Sequence, residues 1–289
     1  MQKITIVNDT TNVHAGSAAV MSFIYNTINE CGHNVISKYE TGYTNIRDND
    51  IEESDVIIVN AEGTFHAGTD RARLLVQAAS RGKKMGKKVL WVNSVCDNNP
   101  SKWGPILNKV DYICTREIMS TEAMRKMGVK THIDTLLDFC VCNDNSNGNI
   151  IKRLSGIVKG STNPSSTKSG QQLDKLEFPF FDINRKNKYK DSITTIKQAK
   201  LYLTGQHHGV YAAAIANTPF IPLYSNCHKI ESLIKWSGIP IKMCRQDQDV
   251  LDYIPIANNN KEMYIDFFGF IESKISETKR YFTNIIKSL

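Results

Sequence analysis

The sequence predicts an α/β protein built on two doubly wound parallel sheets with a long helix at its end, and three observations predict it. Through the first half, continuous apolar runs suited to strands buried on both faces alternate with helix-like stretches. A polar, low-complexity segment, 143–149, then breaks the pattern, and the alternation resumes beyond it. The last stretch, 261–289, carries Ile265, Phe268, Ile271, Ile275, Phe282, Ile285 and Ile286 at helical spacing, which predicts one long helix or two.

The elements follow in order. Residues 4–7 form the first strand, and 17–31 a helix with Gly32 as its stop. The run 55–59 is a buried strand, 70–81 a helix, 88–92 the next strand, and 111–114 a short strand leading into a helix over 117–127 that Gly128 ends. This places one domain over 1–142 and a second over 150–289. In the second, strands are expected at 156–159, 200–204 and 220–224, with loops at 161–167 and 185–190.

Composition narrows the class. The 289 residues suffice for two ordinary domains, and 41% hydrophobic with 22% charged residues is the balance of a globular chain. No apolar run reaches bilayer length and Met1-Gln2-Lys3 leads straight into a strand, so a cytoplasmic protein is expected. Seven scattered cysteines without a C-x-x-C spacing predict neither a disulfide framework nor a zinc site, but small buried hydrophobes. The net charge of +7, concentrated in 81–88, 185–190 and the C-terminal helix, suits anionic partners: a phosphorylated donor, a lipid-diphosphate acceptor or an anionic membrane face. Nucleic-acid module signatures do not occur, and no D-x-D-type metal motif is found apart from Asp247-Gln248-Asp249 in an expected loop; no metal and no nucleic acid are therefore predicted.

Two corners carry the functional signal. Thr204-Gly205-Gln206-His207-His208-Gly209 follows the strand 201–203, and Ser225-Asn226-Cys227-His228-Lys229-Ile230-Glu231 follows the strand 219–224; each opens a helix. Free N–H groups at a helix start with basic side chains beside them hold anions, and open α/β sheets bind ligands at strand carboxyl ends.

These residues resemble the polysaccharide pyruvyl transferase family, with its T-G-R-F-H-G box followed by an S-N-x-x-K segment. Earlier segments agree in order. Asn60-Ala61-Glu62-Gly63-Thr64-Phe65-His66 is similar to N-G-E-G-T-x-H, Thr115-Arg116-Glu117 with Ser120 to S-R-E-x-x-S, and Asn12-Val13-His14-Ala15-Gly16-Ser17 to an N-x-x-x-G corner. The resemblance implies a GT-B-like arrangement: two Rossmann-like domains facing across a cleft, the first on the acceptor side and the second on the donor side.

It also implies roles. His208 matches the family's general acid, which protonates the methylene carbon of phosphoenolpyruvate so that a sugar hydroxyl can attack C2; a histidine's ordinary pKa of about 6.5 suits the task. A structural alternative is that His208 caps the following helix, and His207, in place of an aromatic residue, can be packing alone. Glu62 either takes the proton of the attacking hydroxyl or holds its loop. Asn12, His14, Gly16 and His66 are the acceptor-side contacts, Gly16 permitting close backbone approach. Arg116, Gln206, His207, Gly209, Ser225, Asn226, His228, Lys229 and Glu231 are the donor-side contacts. Asp138 is a cleft residue or a turn.

Position 206 departs from the family. A guanidinium there would grip an anion through two charged hydrogen bonds, and the neutral amide of Gln206 forgoes on the order of 2 kcal/mol unless Arg116 or Lys229 compensates. A second reading therefore stays open: a GT-B glycosyltransferase using a CMP-activated ulosonate, with His228 and Lys229 on the phosphate. In that reading Glu231 meets a ribose hydroxyl, unless it is merely a carboxylate favoured at a helix start. A third is a non-catalytic glycan-binding descendant. No cofactor is expected in any of them; the partners are a phosphorylated or nucleotide-activated donor and a sugar or lipid-linked glycan acceptor, with peripheral membrane contact at most.

Overall fold

Two separate parallel sheets organise the chain, one of six strands and one of three. The structure is a computed structural model that describes residues 1–43, 45–161, 168–184, 186–245 and 247–289. Of the loop expected over 161–167, residues 162–167 lie outside the described residues, as does Arg185. The chain divides into two compact units: the first holds Met1–Asn12, Val20–Cys142 and Ser276–Leu289, the second Val13–Ala19 and Asn143–Ile275.

In the first unit β1 (Lys3–Asp9), α1 (Ala15–Glu30), β2 (Asn34–Glu40), α2 (Asp48–Glu53), β3 (Val56–Asn60), α3 (Asp70–Lys84), β4 (Lys88–Ser94), α4 (Gly104–Leu107), β5 (Tyr112–Thr115), α5 (Ile118–Lys126) and β6 (Asp134–Thr135) follow one another. The first turn of α1, up to Ala19, counts with the second unit and the remainder with the first. The strand order is β2-β1-β3-β4-β5-β6, and every pairing is parallel. The central strands are the continuous apolar runs of the sequence because both faces are covered: all of β3 is buried, and all of β4 but Lys88. Behind them Phe65 meets Trp91 edge-on at 4.8 Å and stacks on Trp103 at 5.7 Å.

The second unit carries β7 (Ile157–Lys159), α6 (Lys168–Lys175), α7 (Tyr189–Ile196), β8 (Leu201–Thr204), α8 (His207–Ile215), β9 (Phe220–Pro222), α9 (Lys229–Ser237) and α10 (Tyr253–Asn259). Its sheet order is β7-β8-β9, all parallel, and a single bridge from Leu223 to Cys244 continues it past β9. Tyr189 and Lys190, expected in a loop, open α7 instead; Tyr189 is buried, and burying its ring favours the helical start. The final helix α11 (Lys261–Lys287) is one element, not two. Its early residues serve the second unit, where Phe267 packs on Phe220 at 5.4 Å and the Tyr264 hydroxyl donates to the Phe220 carbonyl at 2.6 Å. Its late residues serve the first, where Phe282 lies 4.6 Å from Phe139 and 5.5 Å from Phe23.

Among the described residues no disulfide joins the seven cysteines, and all but Cys31 are buried. Burial pushes the Cys96 and Cys114 thiols up to about 12, so both stay protonated and behave as small apolar groups. Among the described residues no helix is long and apolar enough to cross a membrane.

Candidate functional site

In the first unit the strand order reverses direction between β1 and β3, and the functional residues of this unit gather at the carboxyl ends of those strands. The two strand ends are stitched by amides. Asn8 Nδ2 donates to the Asn60 carbonyl at 2.7 Å, and Asn60 Nδ2 donates to the Asn8 carbonyl at 3.2 Å. Glu62 is buried just beyond, in the left-handed region at φ 31°, and accepts a 2.5 Å hydrogen bond from the Thr10 hydroxyl. Asp9 is held below the ordinary carboxylate range. Burial works against its charge, but donation from the Thr11 hydroxyl and amide and from the Tyr25 hydroxyl, with Lys38 nearby, outweighs it.

Residues of the matched boxes in the first unit also make structural contacts. Arg116 and Asp138 are 2% and 0% exposed and joined at 2.6 Å, so one arm of the guanidinium is held by a buried carboxylate. Glu117 caps α5 by accepting from the Ser120 amide at 3.0 Å, and the Ser120 hydroxyl also bonds its carboxylate. His66 sits in a bridge to Asp97, and Asn12 is exposed, its amide 3.2 Å from Glu40 Oε1. Thr10 was not anticipated as a site residue, since a lone threonine outside a motif carries no signal.

In the second unit His208 occupies the first turn of α8 and is buried. Its carbonyl accepts from the Tyr189 hydroxyl at 2.8 Å, and its ring meets that of His14 edge-on at 4.7 Å. The Ser17 amide donates to His14 Nδ1 at 3.1 Å. Gly16 is required by this arrangement: a Cβ there would lie 2.6 Å from His208 Cβ and closer still to the ring. Gly209 is similarly confined, a Cβ falling 2.6 Å from Thr204 Oγ1. His207 turns to Tyr211, rings perpendicular at 5.0 Å, as a packing group would.

A helix normally gains from alanine over glycine by up to about 1 kcal/mol. We expect Gly16→Ala to do the opposite, lowering stability by about 1–3 kcal/mol through the collision with His208. Thermal melting checks the sign: a stabilised variant would show that His208 yields freely.

Gln206 precedes α8 and makes no cap with its side chain. Instead Nε2 points to the Ile183 carbonyl at 3.4 Å, while Oε1 is buried without a partner among the described residues. The second corner is drawn together around Asn226, whose Oδ1 accepts from Lys229 Nζ at 2.5 Å and from the Ser225 hydroxyl at 3.4 Å. His228 stands at the N-cap of α9 without a side-chain cap, and Glu231 lies in its first turn. The structure therefore brings His14, Gly16 and His208 together and, separately, Ser225, Asn226 and Lys229. Tyr189, which supports His208, belongs to no motif and was missed.

Two parallel α/β sheets with a long closing helix define the GT-B class of fold, and solved structures of that class match the chain. S. aureus MnaA, in a co-structure with UDP, is 11% identical with a TM-score of 0.59, over 93% of this chain and 91% of that one. Arabidopsis thaliana UGT89C1 complexed with UDP is 8% identical with a TM-score of 0.59, over 99% of each chain. A Klebsiella pneumoniae protein described as uncharacterized is 15% identical with a TM-score of 0.55, over 84% of this chain and 92% of its own. At these identities the likeness is one of fold. No match was found among curated proteins. The polysaccharide pyruvyl transferase family model matches residues 15–226, and the chain belongs to that family.

Proposed function

We propose that this transferase moves a pyruvyl group from phosphoenolpyruvate to hydroxyls of a sugar in a cell-surface polysaccharide or glycoconjugate. The observation that carries the reading is His208, buried at the head of α8 with its backbone held by Tyr189 and its ring set against His14. A proton donor fixed this way loses little orientational freedom when the reaction begins. His208 gives a proton to the methylene carbon of the donor, converting it to a methyl group as the acceptor oxygen bonds to C2. Phosphate then leaves with the electrons of its C–O bond, and a second hydroxyl adds to the same carbon, its proton passing to the departing phosphate as the ketal closes. We assign the proton of the attacking hydroxyl to Glu62 in the first unit, whose bond from Thr10 fixes its carboxylate. His228 and Lys229, at the start of α9, are the groups we assign to the departing phosphate. The protein would work in the cytoplasm, on a donor and an acceptor delivered there.

One observation favours a second reading, a GT-B glycosyltransferase with a CMP-activated ulosonate. Where the family motif has arginine, Gln206 presents a buried acceptor, Oε1, instead of a cation. Calorimetry of the protein and its Gln206→Arg variant with phosphoenolpyruvate and with CMP separates the two. With phosphoenolpyruvate as donor, the variant should bind it about tenfold more tightly, the scale of one charge-assisted hydrogen bond. Binding of CMP to the wild type alone, lost in the variant, would replace the pyruvyl reading with the glycosyl one.

A further inference from the structure

The three-stranded sheet has a ligand-sized hollow at its edge. Beyond β9 the chain continues through Leu223, which bridges in parallel to Cys244, and the Cys244 amide donates to the Pro222 carbonyl at 2.9 Å. The segments leaving these two strand-like stretches, with the flank of α9, enclose a hollow of about 850 Å³. It lies at strand carboxyl ends, where open parallel sheets receive ligands.

The walls carry a particular chemistry. Lys235, Lys242 and Arg245 share the lining with one carboxylate, Glu231, so the lining itself carries an excess of positive charge, while Asp247 and Asp252 act on Tyr253 at its rim. Tyr224, 37% exposed, and Tyr253 supply aromatic faces. The rim is set in advance, because Gln248 Oε1 accepts both the Arg245 amide at 2.9 Å and the Tyr253 hydroxyl at 2.5 Å. Glu231 Oε2 is buried and has no partner among the described residues. A bare inorganic anion fits poorly beside it, since a carboxylate can only accept hydrogen bonds and repels another anion. What satisfies the whole set is a ligand with an anionic group for the cations and hydroxyls for Glu231, carried on a ring with an apolar face for the tyrosines.

We propose that this hollow binds an anionic sugar, a saccharide unit bearing a carboxylate or a phosphate. The inference rests on the reading above in taking the ligand to be a carbohydrate; of the donor-side contacts expected from the sequence the hollow holds Glu231, and it holds none of His208, Glu62, His228 and Lys229, the groups assigned to pyruvyl transfer. The same chemistry can come from a uronic acid unit of a glycan or from the sugar phosphate of a nucleotide.

Calorimetric titration of the full chain with a glucuronate-containing oligosaccharide, with CMP and with a neutral oligosaccharide of equal length tests it. At least one anionic ligand should bind, the neutral one should not, and the paired substitution Lys242→Ala with Arg245→Ala should weaken binding by about tenfold or more. Uronate binding places the hollow on the acceptor, and CMP binding places it on a nucleotide-borne sugar. The sign of the Glu231→Gln effect is the sharper measurement. If Glu231 accepts sugar hydroxyls, the variant binds more weakly; if it is merely a negative charge near an anion, the variant binds more tightly, and the proposal is overturned. Failure of both anionic ligands, or equal binding of the neutral one, also overturns it. The His208→Ala variant should bind as the wild type does, so loss of transfer chemistry and loss of this site are read separately.

Discussion

His208→Ala should reduce turnover about 100-fold or more, the scale of a lost general acid, while the chain still folds. His208 is buried, so truncation leaves a void in the first turn of α8 and some loss of thermal stability accompanies it. The companion variant His208→Gln fills most of that void without a group able to donate near neutrality. If proton donation is the role, both variants lose turnover alike although their melting temperatures differ. If the imidazole only packs against His14, activity should track stability and the glutamine variant should approach the wild type. Steady-state kinetics alongside thermal melting of the two proteins gives the answer.

Breaking the Arg116–Asp138 pair should cost about 3–5 kcal/mol, because the surviving partner is left charged and buried. The two side chains are 2% and 0% exposed and their atoms lie 2.6 Å apart. A Cβ on Gly63 would lie 3.5 Å from Arg116 Nη2, so the guanidinium lies beside the loop that carries Glu62. Arg116→Met and Asp138→Asn should therefore each lower the urea midpoint, and added salt should change the loss little, since water does not reach the pair. Replacing both residues by apolar ones should recover a large part of it. An Arg116 variant that keeps full stability but binds the donor weakly would restore this residue to the donor site.

Sequence made the strands of the core legible, because a strand covered on both faces must be apolar throughout; 55–59 and 88–92 correspond to β3 and β4 within a residue or two. β2 was not read because it is an edge strand with mostly half-exposed residues, and Asn34-Val35-Ile36-Ser37-Lys38-Tyr39-Glu40 has no apolar run to announce it. Of the candidate site, the boxes singled out His208, Glu62 and Lys229, since glycines and histidines at turns stand out against core composition. What the boxes could not convey was division of labour. Arg116 also pairs with Asp138, a contact that depends on burial and on a residue distant in sequence, and Glu117 caps α5. The Tyr189 bond to His208 is invisible for the same reason.

The interleaved course of the chain has a consequence for dissection of the molecule. A cut within 143–149, the obvious place to separate halves, would not yield two autonomous pieces. A fragment beginning there would lack Val13–Ala19, and with it the glycine and histidine that lie against the ring of His208. The matching N-terminal fragment would lose Ser276–Leu289, and Phe139 would face water where Phe282 had covered it. Each half is thus a foldable body only in the company of sequence borrowed from the other end, so the gene for either one cannot be shortened to a single uninterrupted stretch.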